Sequence, residues 1–390
     1  PASGARAQQK AEGGGGIMAY LKKVTFTNHT CFRGEHTFTF VDENDEWCQW
    51  NVFLGNNNTG KTNLLRGIGA GIHVYYSDIV FKTSFVRLQL TGTTELVHYE
   101  YGVIRKMEKT LPFSGPYPKH GGLRNLGYDT ELPGFEAWLF HVDYIANSPT
   151  ATPENRKKAA AQRDLLIGIL KSEIFTEIKD IRFMSDGKLT SDDAIYIQYQ
   201  TKDGWCGLYQ LGYGYQSMLA WLMDFAKRLF EAYPDSENPL KEPAVVLVDE
   251  IDLHLHPHWQ RTIIKYLSGL FPRTQFIVTT HSPFVLQSME HVNLYTLRRE
   301  AEADHVIPTH HGVRSFVGWS IEELLSEIME MEDDIRTERY QELSRRFHEA
   351  IQRNDPASAE QVYQEFRQIL PPDSPKIEMM ELKLLRVKHA

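Results

Sequence analysis

The fold of this chain is decided by the run Trp50-Asn51-Val52-Phe53-Leu54-Gly55-Asn56-Asn57-Asn58-Thr59-Gly60-Lys61-Thr62. Residues 55–62 fit the pattern G-x-x-x-x-G-K-[ST] of a phosphate-binding loop. The apolar residues 50–54 predict a buried strand, and residues 63–68 predict the start of a helix. This pattern indicates phosphate binding only where a strand precedes the loop and a helix follows it.

The residue types of this loop suit the triphosphate of ATP. Glycines allow backbone N–H groups to turn inward around phosphate oxygens, and the helix N-terminus adds partial positive charge. Lys61 is placed to reach the β- and γ-phosphates, and the Thr62 hydroxyl to ligate Mg²⁺. The alternative is a Gly/Asn-rich turn that matches by accident. We predict that ATP is bound by Asn56, Asn57, Asn58, Thr59, Gly60, Lys61, Thr62 and Asn63.

A second apolar run, Ala244–Val248, ends in two adjacent carboxylates, Asp249 and Glu250. In a nucleotide-hydrolysing site, one carboxylate holds Mg²⁺ and another polarises the attacking water. We predict the first role for Asp249, which would share the metal with Thr62, and the catalytic role for Glu250. The alternative is a strand that ends in a solvated acidic turn.

A third apolar run, 276–280, is followed by His281. A histidine at the carboxyl end of a parallel strand faces the same crevice as the phosphate loop. We predict that His281 donates a hydrogen bond to the γ-phosphate and reports its hydrolysis to the rest of the protein. The alternative is a histidine with a structural role.

Together these residues resemble the ATP-binding-cassette class of P-loop ATPases, and within it the RecF-like and SMC-like proteins. The stretch Asp249–Pro257 looks like the Walker B motif and D-loop of a bacterial group that includes the Septu anti-phage ATPase, PtuA, and retron-linked ATPases. Further matching text lies at Trp259–Arg261 and Gln275–Pro283. The likeness extends in order over Ala19–Leu286.

The resemblance assigns Leu211–Ser217 to the signature motif, which opens a helix that presses on the γ-phosphate held by a second copy. Gly212 and Gly214 would contact that phosphate, and two chains would sandwich two ATPs. The family usually has Ser at the position of Gly212, so one hydroxyl contact is missing. The alternative is a flexible entry to an amphipathic helix. In this family the base often packs near the first hairpin, which makes Phe32 and Arg33 candidate contacts.

The order of elements predicts an α/β fold: a P-loop ABC-type ATPase head with a mixed, mainly parallel sheet, flanking helices, an antiparallel β subdomain and a C-terminal helical appendix. We expect the ATPase domain at 18–318, with a β-rich and loop insertion at about 75–205. The capping box Ser320-Ile321-Glu322-Glu323 opens the helical region 319–390. Residues 1–17 read as a flexible linker of the kind added for expression.

Composition narrows the class of protein. The 390 residues are 42% hydrophobic and 24% charged, as in an ordinary globular protein. A net charge of −9 means that DNA binding would need a local basic patch. The candidate is Arg156-Lys157-Lys158 with Arg163, and the alternative is a solvated helix face. Three widely spaced cysteines indicate a reducing, cytoplasmic setting. No apolar run approaches the roughly 20 residues that cross a bilayer.

Three alternating histidines, His254, His256 and His258, could suggest a metal site. Pro257 breaks any strand that would align them, and zinc sites prefer other spacings. We therefore expect a D-loop at a subunit contact rather than a metal centre.

The resemblance implies a cytoplasmic ATPase with ATP and Mg²⁺ as cofactors, acting in an anti-phage defence system. A homodimer or larger homo-oligomer would hold and restrain a nuclease of the HNH type that is encoded nearby, because the chain shows no nuclease motif of its own. A second hypothesis is a RecF-like DNA-repair clamp, which would bind DNA. A third is the nucleotide-binding subunit of a transporter. The first is our leading hypothesis.

Overall fold

We describe the fold from a computed structural model of the chain. The structure describes residues 20–76, 85–90, 96–102, 134–184, 197–300, 305–331, 337–371 and 374–388. Contacts divide the chain into two compact units, Pro1–Trp319 and Ser320–Ala390, and each is described by itself. The linker expected at 1–17 lies outside the described residues, as does much of the insertion expected at 75–205.

The first unit combines strands and helices. Its strands are β1 (Leu21–His29), β2 (Phe32–Thr39), β3 (Trp50–Leu54), β4 (Phe85–Leu90), β5 (His98–Tyr101), β6 (Asp180–Phe183), β7 (Ile197–Thr201), β8 (Gly204–Cys206), β9 (Ala244–Val248), β10 (Thr274–Thr280), β11 (Val292–Glu300) and β12 (His305–Arg314). Its helices are α1 (Lys61–Tyr76), α2 (Phe135–Asn147), α3 (Pro153–Leu170), α4 (Tyr213–Ala232), α5 (Pro257–Gln260), α6 (Ile263–Leu270) and α7 (Pro283–Gln287), with 3₁₀ turns at Glu173–Phe175, Leu208–Gln210 and Pro239–Lys241.

A six-stranded mixed sheet carries the predicted site. Its order is β12-β11-β3-β10-β9-β5, with β12 antiparallel to β11 and the other neighbours parallel. Strands β3, β9 and β10 are buried along their whole length, as parallel strands covered on both faces must be. Leu54 pairs with Thr280, and Val278 pairs with Val248. The segments that follow these three strands therefore start at the same edge of the sheet.

Two smaller antiparallel sheets, β2-β1-β4 and β6-β7-β8, complete the β structure of the described residues. The mixed sheet with antiparallel additions confirms the predicted fold class. A core joins the first hairpin, helix α1 and the central strands through fully buried side chains, among them Val24, Phe26, Phe38, Phe53, Leu64, Ile68, Leu247 and Ile277. Burying each of these side chains contributes about 1.5–3 kcal/mol to the stability of the unit.

The local sequence pattern was less informative about some elements. The pattern predicts one helix over 257–271, but the structure breaks it between α5 and α6. The Thr262 hydroxyl bonds back to the carbonyls of His258 and Trp259 at 3.3 Å each, and such back-bonding competes with helix propagation. Helix α2 and the β11–β12 hairpin are elements that the sequence pattern did not predict.

The second unit is helical, as predicted. It contains α8 (Ile321–Glu323), a π-helical turn (Leu324–Ile328), α9 (Glu338–Gln352), α10 (Pro356–Ile369) and α11 (Pro375–Lys388). The capping box forms as expected: the Ser320 hydroxyl accepts from the Glu323 amide at 3.1 Å, and the Glu323 carboxylate accepts from the Ser320 amide at 2.6 Å. Helices α9–α11 share a core of Leu343, Phe347, Ala350, Ala359, Val362, Tyr363, Phe366, Ile377, Met380 and Leu384.

Candidate nucleotide site

The predicted phosphate loop lies between β3 and α1. The Lys61 ammonium turns back over the loop and donates to the carbonyls of Gly55 and Asn56 at 2.8 and 2.9 Å. Lys61 is only 6% exposed, whereas the loop tip, Asn56–Asn58, is exposed. The lysine is therefore held at the loop, and its cation is available to a phosphate that replaces the two carbonyls.

The loop packs tightly on the turn of the first hairpin. Gly60 has φ +80°, and a Cβ added there would lie 2.3 Å from the Cys31 sulfur. Glycine is thus required at this position by both backbone conformation and space. The neighbouring Phe32 ring is fully buried against Phe26 and Phe38, while Arg33 is exposed. The base contact stays a prediction, and of its two candidates only Arg33 presents an accessible side chain.

A hydroxyl and a carboxylate meet where the metal site was predicted. The Thr62 hydroxyl donates to Asp249 Oδ2 at 2.6 Å, and the Thr279 hydroxyl donates to Oδ1 at 2.5 Å. Asp249 is wholly buried, so both its oxygens are oriented by short hydrogen bonds. Hard oxygen donors of this kind suit Mg²⁺, which takes one or two protein ligands and completes its shell with water and phosphate oxygens. Thr62 and Asp249 therefore fit the predicted ion.

Glu250 and His281 lie next to each other. His281 Nε2 is 4.0 Å from Glu250 Oε1, and both side chains are about one-third exposed. Glu250 has φ +49°, uncommon for a residue other than glycine, and its amide donates to the Thr279 hydroxyl at 2.7 Å. Thr279 thus orients both adjacent carboxylate residues. Sequence reasoning missed this residue, although a threonine at the end of a buried strand offered a signal.

Burial sets the electrostatics of the site. It lowers the pKa of Lys61 to about 8, against the opposing effect of the carboxylates Asp249, Glu250 and Asp252. Burial, with the charge of Lys61 as a smaller cause, also lowers the pKa of His281. Burial disfavours the charged form of Lys61, and a nearby anion favours it. The buried lysine therefore favours binding of a phosphate at this site.

The segment after Glu250 is tied to the end of β10. The Thr280 hydroxyl donates to Asp252 at 2.5 Å, and the Ser282 hydroxyl donates to Gln260 at 2.7 Å. Within the described residues no group of three His, Cys, Asp or Glu side chains could hold a metal ion. His254, His256 and His258 belong to no such group among these residues, and the D-loop role of this segment stays a prediction.

The predicted signature turn contacts this same segment. A Cβ added to Gly214 would lie 2.6 Å from the carbonyl oxygen of His254. The Tyr213 ring packs edge-on against His254 at 4.6 Å, and Tyr215 packs likewise against Trp259 at 4.3 Å. The atoms nearest Gly214 therefore belong to the 254–259 segment of the same chain rather than to its phosphate loop.

Gly212 differs from Gly214. It is the N-cap of α4 with φ −57°. Apart from its chain neighbours, the only atom of the described residues within 4 Å of an added Cβ is a ring carbon of Tyr215 at 3.9 Å. A serine would fit there without strain, so the lack of a hydroxyl is a chemical difference rather than a steric requirement. The phosphate roles of Gly212 and Gly214 stay predictions.

Known proteins share parts of this sequence. Residues 119–287 match a family described as "AAA domain, putative AbiEii toxin, Type IV TA system". The "Septu protein PtuA" of Bacillus thuringiensis is 23% identical over 86% of this chain and 91% of its own length. The "Retron Ec83 probable ATPase" of Escherichia coli is 40% identical over 34% of this chain, a segment that spans 24% of that protein. The resemblance to Septu and retron ATPases is thereby confirmed.

The solved structures give a weaker similarity. An SMC head bound to the C-winged helix domain of ScpA is 12% identical, with a TM-score of 0.42 over 75% of this chain and 98% of that one. A TM-score at this level does not establish a shared fold. The assignment of the fold therefore rests on the sheet order described above. Among the described helices, none has the length and apolar character that a bilayer span needs.

Proposed function

We propose that this chain is the ATP-binding and ATP-hydrolysing regulatory subunit of a bacterial anti-phage defence system. Two copies sandwich ATP and control a separate nuclease of the HNH type. The observation that carries the proposal is the convergence of Lys61, Thr62, Asp249 and Glu250 at one edge of the sheet, on loops held by short hydrogen bonds. The similarity to PtuA along most of both chains supports the defence setting.

Each side chain has a role that its position permits. Lys61 exchanges its carbonyl partners for phosphate oxygens, and its charge offsets theirs. Thr62 and Asp249 would hold Mg²⁺, which neutralises phosphate charge when bound. Glu250 orients the attacking water and accepts its proton. His281 lies near Glu250 and donates an N–H hydrogen bond to the γ-phosphate. It thereby couples the presence of the γ-phosphate to the end of β10.

The second copy supplies the signature turn. Gly212–Gly214 lie at the N-terminus of the 20-residue helix α4, where backbone N–H groups favour an anion. We propose that this turn meets the γ-phosphate bound by the partner chain, so that ATP binds the two subunits together. The missing hydroxyl at Gly212 makes hydrolysis slow, and the nucleotide state then decides how long the subunits stay associated.

One experiment tests the enzymatic part. Wild-type chain, Glu250→Gln and Lys61→Ala are compared for ATP turnover and for ATP-dependent association by sedimentation velocity. We expect Glu250→Gln to lower turnover at least roughly 100-fold while it retains or strengthens association, because binding groups remain and only the water activator is lost. Unchanged turnover in this variant would contradict the role of Glu250.

A second experiment tests the partner. The tagged chain is expressed with each untagged product of the neighbouring genes and purified with ATP present. We expect one of these products, a nuclease, to co-purify in a defined stoichiometry and its DNA cleavage to be lower in the complex than alone. If none of the neighbours co-purifies, and the chain instead binds duplex DNA only with ATP, a DNA clamp replaces the defence function.

A further inference from the structure

A buried ion pair on helix α4 lies outside the nucleotide site. Arg228 Nε donates to Asp224 Oδ2 at 2.6 Å, and the two residues are 7% and 1% exposed. They are four residues apart and so share one face of the helix. Burying two charges costs desolvation that an apolar pair of similar volume avoids. The geometry that the pair fixes is therefore the better reason for its presence.

Tyr101 connects this pair to the predicted metal site. Its hydroxyl donates to Asp224 Oδ2 at 2.8 Å, and the residue is 1% exposed. Its carbonyl accepts from the amide of Asp249 at 2.8 Å, at the end of β9. One residue at the end of β5 thus bonds to helix α4 through its side chain and to Asp249 through its backbone.

Strand β5 makes a second attachment two residues earlier, on the same face of the strand. The Tyr99 hydroxyl donates to the Arg228 carbonyl at 3.2 Å, and the Arg228 guanidinium lies 5.5 Å from the centre of the Tyr99 ring. Two attachments to one strand resist rotation of the helix better than a single one does.

The hydrogen bonds among Tyr101, Asp224 and Arg228 form a network that lies several turns along helix α4 from the signature turn. A small tilt of the helix at this network would therefore cause a large displacement of the turn. Helix α4 begins directly after Gly212, and Asp224 lies about 16 Å along it from Tyr213 at 1.5 Å per residue. A tilt of about 10° at Asp224 would move the turn by about 3 Å, which is enough to break a hydrogen bond made there. A tilt of helix α4 at this network would therefore shift the signature turn relative to the strand that leads to Asp249.

We propose that Tyr101, Asp224 and Arg228 are positioning residues that align the signature turn with the predicted metal site of the same chain. The inference rests on the proposed function, in which that turn contacts the nucleotide of a second copy. It adds residues that lie outside the motifs: the site would depend on a tyrosine hydroxyl that touches neither nucleotide nor metal.

The chain contains a matched control for this hydroxyl. The Tyr199 hydroxyl donates to Glu136 Oε1 at 3.0 Å, and the Tyr199 side chain is fully buried on the small sheet β6-β7-β8. Tyr101→Phe and Tyr199→Phe each remove one hydrogen bond from a buried tyrosine to a carboxylate. Both are made in the full chain, alone and in the Glu250→Gln background.

Two measurements are made on each variant. Sedimentation of the Glu250→Gln proteins with ATP gives the association constant, which we expect to fall at least about tenfold with Tyr101→Phe and by less than about twofold with Tyr199→Phe. Hydrogen exchange without nucleotide is followed in peptides that cover 211–217. We expect exchange there at least about threefold faster in Tyr101→Phe only.

The outcomes separate the inference from the proposed function. Equal exchange at 211–217 in the two variants would overturn the inference, and so would equal association constants when the Glu250→Gln parent itself associates with ATP. If Tyr101→Phe speeds exchange there but the Glu250→Gln parent never associates with ATP, the positioning role stands and the ATP sandwich is wrong. Lost ATP binding in Tyr101→Phe, with Tyr199→Phe unaffected, would also overturn it, because the phosphate loop is expected to bind independently of the turn.

Discussion

The phosphate loop and the signature turn are built in opposite ways. Around the loop, Lys61, Thr62 and Asp249 are held by side-chain hydrogen bonds of 2.5–2.9 Å within one chain. The signature turn offers glycine backbone, with Gly212 open to its surroundings. In the two-chain site proposed above, each chain preorganises the phosphate-loop half of one nucleotide site and presents its signature turn to the partner. Preorganised groups lose little conformational entropy when they bind a ligand. The loop should therefore dominate the affinity for ATP, and the turn should govern the association of two chains.

The largest effect is expected from the loop. Lys61→Ala removes a cation that would make two charge-assisted bonds to phosphate, each worth about 1.5–3 kcal/mol. We expect ATP affinity, measured by titration calorimetry, to fall at least roughly 100-fold, while Lys265→Ala, which removes an exposed lysine of α6, leaves it unchanged. An equal loss in both variants would show that general charge, and not the loop, binds the nucleotide.

The turn can be tested with two neighbouring glycines. Gly214→Ala places a methyl group 2.6 Å from the His254 carbonyl, so the turn or the 254–259 segment has to move. Gly212→Ala meets only a ring carbon at 3.9 Å. Overpacking of this kind costs about 1–3 kcal/mol. We expect Gly214→Ala to weaken ATP-dependent association roughly tenfold or more with ATP affinity preserved, and Gly212→Ala to change neither. The opposite ranking would contradict the packing argument.

The pH dependence of binding follows from the lowered pKa of Lys61, about 8 in the free protein. Bound phosphate favours the charged lysine, so binding takes up a proton where the free lysine is neutral. Affinity is therefore full below pH 8 and falls as the pH rises through that value, by roughly tenfold between pH 7 and pH 9. Lys61→Arg stays charged over this range, so its ATP affinity should be flat. Equal slopes in both proteins would point to another group.

The smallest effect should be a gain. Gly212→Ser introduces the hydroxyl that the resemblance leads us to expect, at a position with space for it. One added hydrogen bond to the partner's phosphate contributes about 1 kcal/mol, so association with ATP should tighten roughly fivefold, and turnover should rise. Gly212→Ala is the matched variant without the hydroxyl. If serine and alanine behave alike, the turn does not meet phosphate.

Local pattern was sufficient for the loop and insufficient for what surrounds it. Lys61, Asp249 and Glu250 could be placed because each follows a continuous apolar strand, and the sheet brings the ends of those strands together. Thr279 was missed because its role depends on the register of β10 against β9. Phe32 was expected to contact the base of ATP, but its ring is buried because the hairpin turns it into the core. Pattern shows which face of a strand is apolar, not which partner covers it.

Tyr101 shows the same limit at longer range. Strand β5 pairs with β9, although about 150 residues of chain separate the two strands. Nothing in the sequence near residue 101 indicates that its carbonyl accepts a hydrogen bond from the Asp249 amide. Pairings at such separation are fixed by the whole fold rather than by local propensity. The hydrogen bonds through which Tyr101 connects helix α4 to Asp249 were therefore visible only in the structure.

The central claim is that a site is completed by two chains, and mixing two variants that are each defective in a different half of the site tests it most directly. Lys61→Ala retains the signature turn, and Gly214→Ala retains the phosphate loop. In an equal mixture about half of the dimers are mixed, and each holds one intact site of two, so we predict about a quarter of wild-type ATP turnover. Turnover no higher than the mean of the separate variants would contradict the account.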